Sequence, residues 1–211
     1  LLEAVALVVI VVILFLQTWR AAVIPLLEYL SSLSISVVLT TGTVTSARLA
    51  SDRLGDNVIH QYVPLDSPRY VERFLDHWKP NLAIFVESEV WPNLVVETHR
   101  RAIPLVLANA RMSRKSFQSW KKKRAMARTL FSAFDLVLAQ NETLARRFSR
   151  LGAPKAVAVG NLKIDSPPPP VDEIALQRLM VSLAGRPVFL AASTHSAEEE
   201  QVATAYHLSL A

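Results

Sequence analysis

The stretch Asn81-Leu82-Ala83-Ile84-Phe85-Val86-Glu87-Ser88-Glu89-Val90-Trp91-Pro92-Asn93 decides the fold. Its apolar run, residues 82–86, leads directly into the carboxylates of Glu87 and Glu89, and Pro92 suits the first turn of a helix. A short apolar run of this kind is typical of a strand buried in a parallel sheet. Because ligands bind at the carboxyl ends of such strands, the two acids indicate chemistry or ligand binding, with helix capping as the alternative.

Composition sets outer limits on the fold and on the partners. The chain has 211 residues, of which 51% are hydrophobic, so it can bury the core of one large domain and part of another. It has no cysteine, which excludes disulfides and thiolate zinc sites. Its net charge of +5 favours an anionic partner, such as a phosphorylated substrate, an acidic membrane or a nucleic acid.

The first sixteen residues are apolar except for Glu3. This run is shorter than the roughly 20 residues that a membrane-spanning helix needs, and it lacks the basic start of a signal peptide. We expect segment 1–18 to be either the end of a membrane anchor or a first buried strand, with an interfacial segment as a third possibility.

Strand and helix patterns alternate along the following residues, which predicts βαβ units and a parallel, doubly wound sheet of the Rossmann-like α/β class. The predicted strands are 35–39, 58–63, 82–86, 104–108, 136–139 and 157–159, and the predicted helices are 20–32, 44–54, 69–78, 92–101, 115–134 and 142–151.

A proline-rich linker, residues 166–171, interrupts this alternation. It predicts a first domain over 19–165 and the start of a second Rossmann-like domain over 172–211, with a helix at 172–183 and a strand at 188–192. We expect the sequence to cut this second domain short.

Two further polar groups follow predicted strands. Thr40 and Thr41, next to Gly42, could hold an anion at a helix start or simply cap that helix. Asn109, Arg111 and Ser113 follow the strand 104–108, so Arg111 is expected at the same edge as Glu87. Arg111 could form an ion pair with Glu87 or hold an anionic ligand, since arginine binds carboxylates and phosphates in a bidentate way.

Basic residues dominate the stretch 109–134, which contains no acid. The basic residues are Arg111, Arg114, Lys115, Lys121, Lys122, Lys123, Arg124 and Arg128. A solvated basic face is the ordinary interpretation, but aromatic residues among the charges favour an anionic membrane surface. Nucleic acid is disfavoured because no nucleic-acid-binding motif accompanies the charges.

Two candidate residues lie near or beyond the linker. Lys163 could neutralise developing negative charge in a cleft between domains, or form a surface pair with Asp165. His195 could contact a ligand or be a turn residue. The five histidines have no metal-ligand spacing with one another, so we expect no metal site, and we expect no cofactor either.

These motifs occur together and in order, and over residues 19–211 the sequence resembles the 3-deoxy-D-manno-octulosonic acid (Kdo) transferases. The motifs that carry the resemblance are 87–93, 109–113, 140–142, 151–152, 160–165 and 193–195. The resemblance implies a GT-B glycosyltransferase with two Rossmann-like domains facing a cleft. It implies inverting, metal-free transfer of Kdo from CMP-Kdo to the lipid A precursor, at the cytoplasmic face of the inner membrane.

The resemblance also assigns roles to individual residues. Glu87 and Lys163 match positions that stabilise the transition state, while Thr40, Thr41, Glu89, Asn109, Arg111, Ser113 and His195 are our candidates for substrate binding. The family's general base is the glutamate of a Ser-Val-Gly-Glu motif, and that position falls on Trp19, with Thr18 in place of the glycine. Tryptophan cannot accept a proton, so we expect this chain to be an inactive fragment of a Kdo transferase. The alternative is a non-catalytic module that binds anionic lipid at the membrane surface.

Overall fold

A computed structural model describes residues 9–14, 36–53, 58–88, 90–165, 171–186, 188, 190–195 and 197–209. The chain divides into two compact units, Leu1–Ser166 and Pro167–Ala211, so the boundary falls where the proline-rich linker begins. Elements are numbered below in chain order over the described residues.

The first unit is built on a seven-stranded sheet in which every described pairing is parallel. Its strands are β1 (Val9–Leu14), β2 (Ser36–Thr41), β3 (Val58–Tyr62), β4 (Leu82–Val86), β5 (Leu105–Ala110), β6 (Leu136–Ala139) and β7 (Ala156–Ala158). Their order across the sheet is β3-β2-β1-β4-β5-β6-β7. The predicted parallel, doubly wound sheet is therefore confirmed.

Strand β1 is an interior strand of the sheet and pairs with β2 on one side and β4 on the other. Val9 is in register with Ser36, and Ile10 faces both Val37 and Leu82. Of the interpretations of segment 1–18, the structure thus supports a first strand, at Val9–Leu14. The described helices include none with the length and hydrophobicity to cross a membrane.

Helices connect the described strands, most of them where the sequence predicts. They are α1 (Val44–Arg53), α2 (Pro68–Trp78), α3 (Pro92–Arg100), α4 (Arg114–Lys122), α5 (Arg124–Phe131) and α6 (Glu142–Leu151), followed by a 3₁₀ turn at Leu162–Asp165. The predicted helix 20–32 lies outside the described residues.

The core forms where apolar helix faces meet the sheet. Phe131 contacts Trp120 and Phe148 edge to face, with ring centroids 5.4 and 5.7 Å apart, and Phe85 meets Phe134 at 5.7 Å. Such aromatic pairs add stabilisation beyond the apolar area that they bury. This cluster fastens α4, α5 and α6 to the sheet and fixes the strand ends that they follow.

The single long helix predicted over 115–134 is wrong, because the chain breaks at Lys123. Lys123 has φ −111° and ψ 51°, outside the helical region, and separates α4 from α5. Positions 121–124 are all basic, so this turn offers no apolar side chain to hold it against the core. Buried residues resume with Ala127 and Leu130 on α5.

The second unit contains the helices α7 (Glu173–Leu183) and α8 (Glu198–Ser209). The predicted strand 188–192 is wrong at the residues that the structure describes, which are 188 and 190–192. A strand needs a neighbouring strand to satisfy its backbone groups, and the described part of this unit offers none.

Candidate functional site

The order of the strands locates the site. The chain builds the sheet outward from β1 through β2 to β3 and then returns to the other side of β1 with β4. The carboxyl ends of β1 and β4 therefore flank the point where the winding reverses, which is where open α/β sheets bind ligands. Glu87 is the first residue after β4 and stands at this crevice.

Glu87 is held in a strained conformation by its neighbours. Its φ is +62°, in the left-handed region that side chains other than glycine rarely adopt. Its N–H donates to the Ala108 carbonyl at 2.9 Å, and its carbonyl accepts from the Arg111 N–H at 3.2 Å. Strain of this kind costs about 1–3 kcal/mol and clusters at functional sites. The loops that follow β4 and β5 thus fix the direction of the Glu87 side chain.

The Glu87 carboxylate pairs with Arg111, with Oε2 3.0 Å from Nη2. The Glu87 side chain is only 9% exposed, whereas that of Arg111 is 44% exposed. The predicted ion-pair alternative is present, and nearly half of the Arg111 side chain still faces solvent. Glu87 is therefore the buried member of the pair, and the exposed part of the Arg111 side chain can contact a ligand.

Asn109 links the site to the segment that carries Lys163. It is 1% exposed and has φ +50°, a conformation that asparagine tolerates better than most residues. Its Oδ1 accepts from the Leu162 N–H at 3.3 Å, and Gln140 Nε2 donates to its carbonyl at 3.3 Å. The backbone of the 3₁₀ turn is thus tethered to the end of β5, while the Lys163 side chain lies outside the described part of the structure.

A pocket of about 640 Å³ opens beside Arg111, and we call it the strand-end pocket. Hydroxyls and the guanidinium share its lining with apolar and aromatic side chains. The lining residues are Ser88, Val90, Arg111, Met112, Ser113, Ser116, Trp120, Phe131, Leu144 and Phe148. A cavity of this size and mixed chemistry suits an amphiphilic, anionic ligand.

Ser113 has a structural role as the N-cap of α4, since its side-chain oxygen accepts from the Ser116 N–H at 3.0 Å. The loop that it ends is braced by Arg147 of α6. Arg147 donates to the Met112 carbonyl at 2.6 Å, and its guanidinium lies 5.8 Å from the centroid of the Phe117 ring. Sequence reasoning missed Arg147, and only its place beside the apolar face of α6 sets it apart from Arg146 and Arg150.

Asp66 lies just before Ser67, the N-cap of α2, but its carboxylate caps α3. Its carboxylate accepts from the N–H groups of Asn93 at 3.2 Å and Leu94 at 2.9 Å, and Asn93 Nδ2 donates to its carbonyl at 2.7 Å. Asn93 of the opening motif therefore supports the loop after β3. The sequence gives little indication of this cap, because Asp66 lies far along the chain from the helix that it caps.

Thr40 and Thr41 are the last residues of β2, which runs two residues beyond the predicted strand, and both are fully buried. Thr41 Oγ1 lies 2.8 Å from His60 Nε2 on β3. Burial lowers the pKa of His60 below 6.5, so the imidazole stays neutral near pH 7. The described contacts give Thr41 a place in the sheet, and a ligand role for both threonines stays a prediction.

The remaining candidates divide between the second unit and undescribed positions. His195 is exposed, and Glu198 closes a small ring with it: the His195 N–H donates to Glu198 Oε2, and the Glu198 N–H donates to the His195 carbonyl, both at 2.9 Å. Glu89 and Trp19 lie outside the described residues. Within the described part of the chain, no three His, Asp or Glu side chains cluster as a metal-ligand set.

Solved structures share this fold. The S. aureus MnaA–UDP co-structure matches with a TM-score of 0.56 at 14% identity, covering 75% of this chain and 45% of that one. A UDP-GlcNAc 2-epimerase from Neisseria meningitidis bound to UDP-GlcNAc matches with a TM-score of 0.54 at 14% identity, covering 82% and 51%. Together with the parallel sheet, these likenesses define an α/β protein of the GT-B type.

Sequence comparison then gives the family. Residues 20–166 match the family described as 3-deoxy-D-manno-octulosonic-acid transferase (kdotransferase), and the chain belongs to this family.

Curated relatives agree with this assignment. The 3-deoxy-D-manno-octulosonic acid transferases of Rickettsia bellii and Haemophilus influenzae are each 37% identical, over 79% and 84% of this chain. A probable mitochondrial 3-deoxy-D-manno-octulosonic acid transferase of Arabidopsis thaliana is 35% identical over 90% of it. The aligned part spans 40%, 42% and 44% of the length of these three relatives.

Proposed function

We propose that this chain forms the acceptor-side part of an enzyme that transfers Kdo from CMP-Kdo to the lipid A precursor in lipopolysaccharide biosynthesis. The observation that carries the proposal is the Glu87–Arg111 pair, which stands at the rim of the strand-end pocket where the winding of the sheet reverses. Membership in the Kdo transferase family supports the choice of reaction. No cofactor is assigned to this transfer.

The pair and the pocket suit a phosphorylated lipid acceptor. A guanidinium carries five N–H donors, and Arg111 directs one nitrogen to Glu87 while nearly half of its side chain faces solvent. The exposed donors are available for a phosphate, and the neighbouring Val90, Trp120 and Leu144 offer apolar surface to the lipid part. A ligand held at both ends would present its hydroxyl in a fixed direction, which is the main requirement for transfer between two bound substrates.

Glu87 and Lys163 take the electrostatic roles in this proposal. A cation at Lys163 would stabilise negative charge that develops on the departing donor phosphate, and Asn109 holds the backbone of that segment in place. Glu87 orients Arg111 through the 3.0 Å contact and places a carboxylate near a sugar centre that becomes electron-poor. Glu89, two positions after Glu87 in the sequence, and Ser113, two positions after Arg111, are further proposed substrate contacts.

The basic stretch 109–134 supports peripheral attachment to the cytoplasmic face of the inner membrane. Each Lys or Arg near an anionic bilayer contributes about 1 kcal/mol of binding, and salt screens this contribution. A second function, that of a lipid-binding module without catalysis, is favoured by one observation. The position of the family's general base is occupied by Trp19, which cannot accept a proton.

Binding of the lipid A precursor tests the acceptor site. We expect Arg111→Gln to weaken binding roughly tenfold, because a hydrogen bond to a charged group contributes about 1.5–3 kcal/mol. The matched control is Arg114→Gln, since Arg114 is an exposed arginine three residues further on that does not line the strand-end pocket. Equal losses in the two variants would contradict the proposed site.

A transfer assay with radiolabelled CMP-Kdo separates the enzyme from the module. We expect no transfer by the chain as it stands, because general-base catalysis contributes typically about 10²–10⁴-fold. Turnover by the unmodified chain would show that another group serves as the base and would eliminate the non-catalytic alternative.

A further inference from the structure

A second pocket, of about 560 Å³, lies between α4, α5 and α6, and we call it the distal pocket. Phe117 and Trp120 form its apolar part, and Gly152 lies where α6 ends. Because α4 and α6 each begin at the carboxyl edge of the sheet, their C-terminal ends lie toward the opposite edge. Trp120 lines both pockets, but neither Glu87 nor Arg111 lines the distal pocket.

The distal pocket has an unbalanced charge. Four cations line it, Lys121, Arg124, Arg128 and Arg150, and no carboxylate does. None of the four forms an ion pair with any residue that the structure describes. Like charges gathered around one cavity repel each other, and an anion in the cavity would turn that repulsion into attraction.

Helix dipoles explain only part of this arrangement. Lys121 and Arg150 stand in the last turns of α4 and α6, where a cation is favourable. Arg124 is the first residue of α5, where the dipole disfavours a cation, and the first turn of that helix contains no acid to offset it. The dipole of α5 therefore does not account for Arg124.

Gly152 shows that α5 lies close to the end of α6. It ends α6 with φ +117°, and a Cβ at this position would lie 3.1 Å from Arg128 Cα and 3.2 Å from Arg128 Cγ. Only glycine allows the backbone of α5 to approach α6 so closely. This contact sets Arg128 beside the last turn that carries Arg150, although both side chains are positive.

We infer that the distal pocket binds a phosphate group, as a phosphomonoester or phosphodiester. Arginine forks match phosphate oxygens in a bidentate way, and the lysine adds a point charge. The volume falls within the range of about 300–1,000 Å³ that is usual for small-molecule sites. The inference does not depend on the proposed transfer reaction, since the pocket contains neither Glu87 nor Arg111.

Two double variants with the same change of charge test this inference. Lys121→Gln with Arg150→Gln removes two cations from the distal pocket, and Lys122→Gln with Arg146→Gln removes their exposed neighbours, which do not line it. Binding of inorganic phosphate and pyrophosphate is measured by calorimetry at constant ionic strength. Co-sedimentation with phosphatidylcholine vesicles, with and without phosphatidic acid, measures binding of the same group on a lipid.

We expect the pocket variant to weaken saturable binding at least about tenfold and the control variant by less than about twofold. Binding of soluble phosphate alone would identify a small phosphorylated compound as the source, and binding of phosphatidic acid vesicles alone would identify a lipid headgroup. Either result supports the site. Equal losses in the two variants, or no saturable binding in any arm, would overturn it. If the pocket variant fails to fold, Arg124→Gln takes its place, with an expected severalfold loss.

Discussion

Removing Arg111 should destabilise the first unit more than removing the charge of its partner Glu87. Arg111→Gln removes the guanidinium that pairs with Glu87, whose side chain is only 9% exposed, whereas Glu87→Gln leaves Arg111, whose side chain is 44% exposed and can be hydrated. Breaking a buried pair costs about 3–5 kcal/mol, and breaking a surface pair costs about 0–1 kcal/mol. This half-buried pair lies between the two, so we expect Arg111→Gln to lower the free energy of unfolding by about 1–3 kcal/mol and Glu87→Gln to lower it by less than about 1 kcal/mol.

Tryptophan fluorescence during urea unfolding measures this difference in stability for the first unit. The four tryptophans, at positions 19, 78, 91 and 120, all belong to the first unit, so the second unit does not contribute to the signal. With a slope of about 1–3 kcal/mol per molar urea, Arg111→Gln should lower the midpoint by roughly 0.5–1.5 M.

Arg100→Gln is the matched control for this experiment, since Arg100 is 73% exposed and its partner Glu97 is 19% exposed. Its midpoint should stay within about 0.3 M of the unmodified chain. A loss for Glu87→Gln that equals or exceeds the loss for Arg111→Gln would refute the reasoning, because burial of the carboxylate would then not decide the cost.

Three further predictions concern the supports of the site. Asp66→Ala should lower the free energy of unfolding by about 1–2 kcal/mol, because it removes the side-chain cap of α3, and Asp66→Asn should cost less; thermal unfolding measures both. Gly152→Ala should cost about 1–3 kcal/mol in the same assay, because φ is +117° there and the new Cβ would press on Arg128, and an unchanged melting temperature would show that the two helices move apart freely. Burial lowers the pKa of His60 in the folded state, so the folded state binds the proton less readily than the unfolded chain, and stability should fall as pH drops below 6.5 and level off below the folded pKa. The urea midpoint between pH 7.5 and 5 measures this slope, and His60→Asn should flatten it.

The sequence predicts most accurately the elements that are defined by local patterns. The strands 82–86 and 136–139 and the helix 142–151 have the predicted bounds. Residues with a clear local role mark the ends of the helix. Asn141 caps its start, where its side chain accepts from the Leu144 N–H, and Gly152 ends it. The acid–cation pair at Glu87 and Arg111 was also predictable, because parallel strands place their carboxyl ends at one edge.

The failures arise where a partner distant in sequence decides the structure. No local residue predicts that Asp66 caps α3 rather than α2, or that Thr41 forms a hydrogen bond with His60 on the neighbouring strand. The sequence around Lys123 contains neither glycine nor proline, so no local residue predicts the break there. The break depends instead on which side chains pack into the core on either side of it. Residues 188–192 are apolar, as a buried strand requires, but an apolar run does not predict whether a neighbouring strand is present to pair with it.

The position of β1 between β2 and β4 has a consequence for how the first unit assembles. The strands β4 to β7 stand beside their neighbours in chain order and can associate progressively, whereas β2 and β3 are connected to them only through Val9–Leu14. That six-residue strand must find Leu82 and its neighbours across a long stretch of chain, and such distant pairings form slowly. The β2–β3 half of the sheet should therefore behave as a separate cooperative unit, and its amide hydrogens should exchange with solvent at a lower free energy than those of β5 and β6.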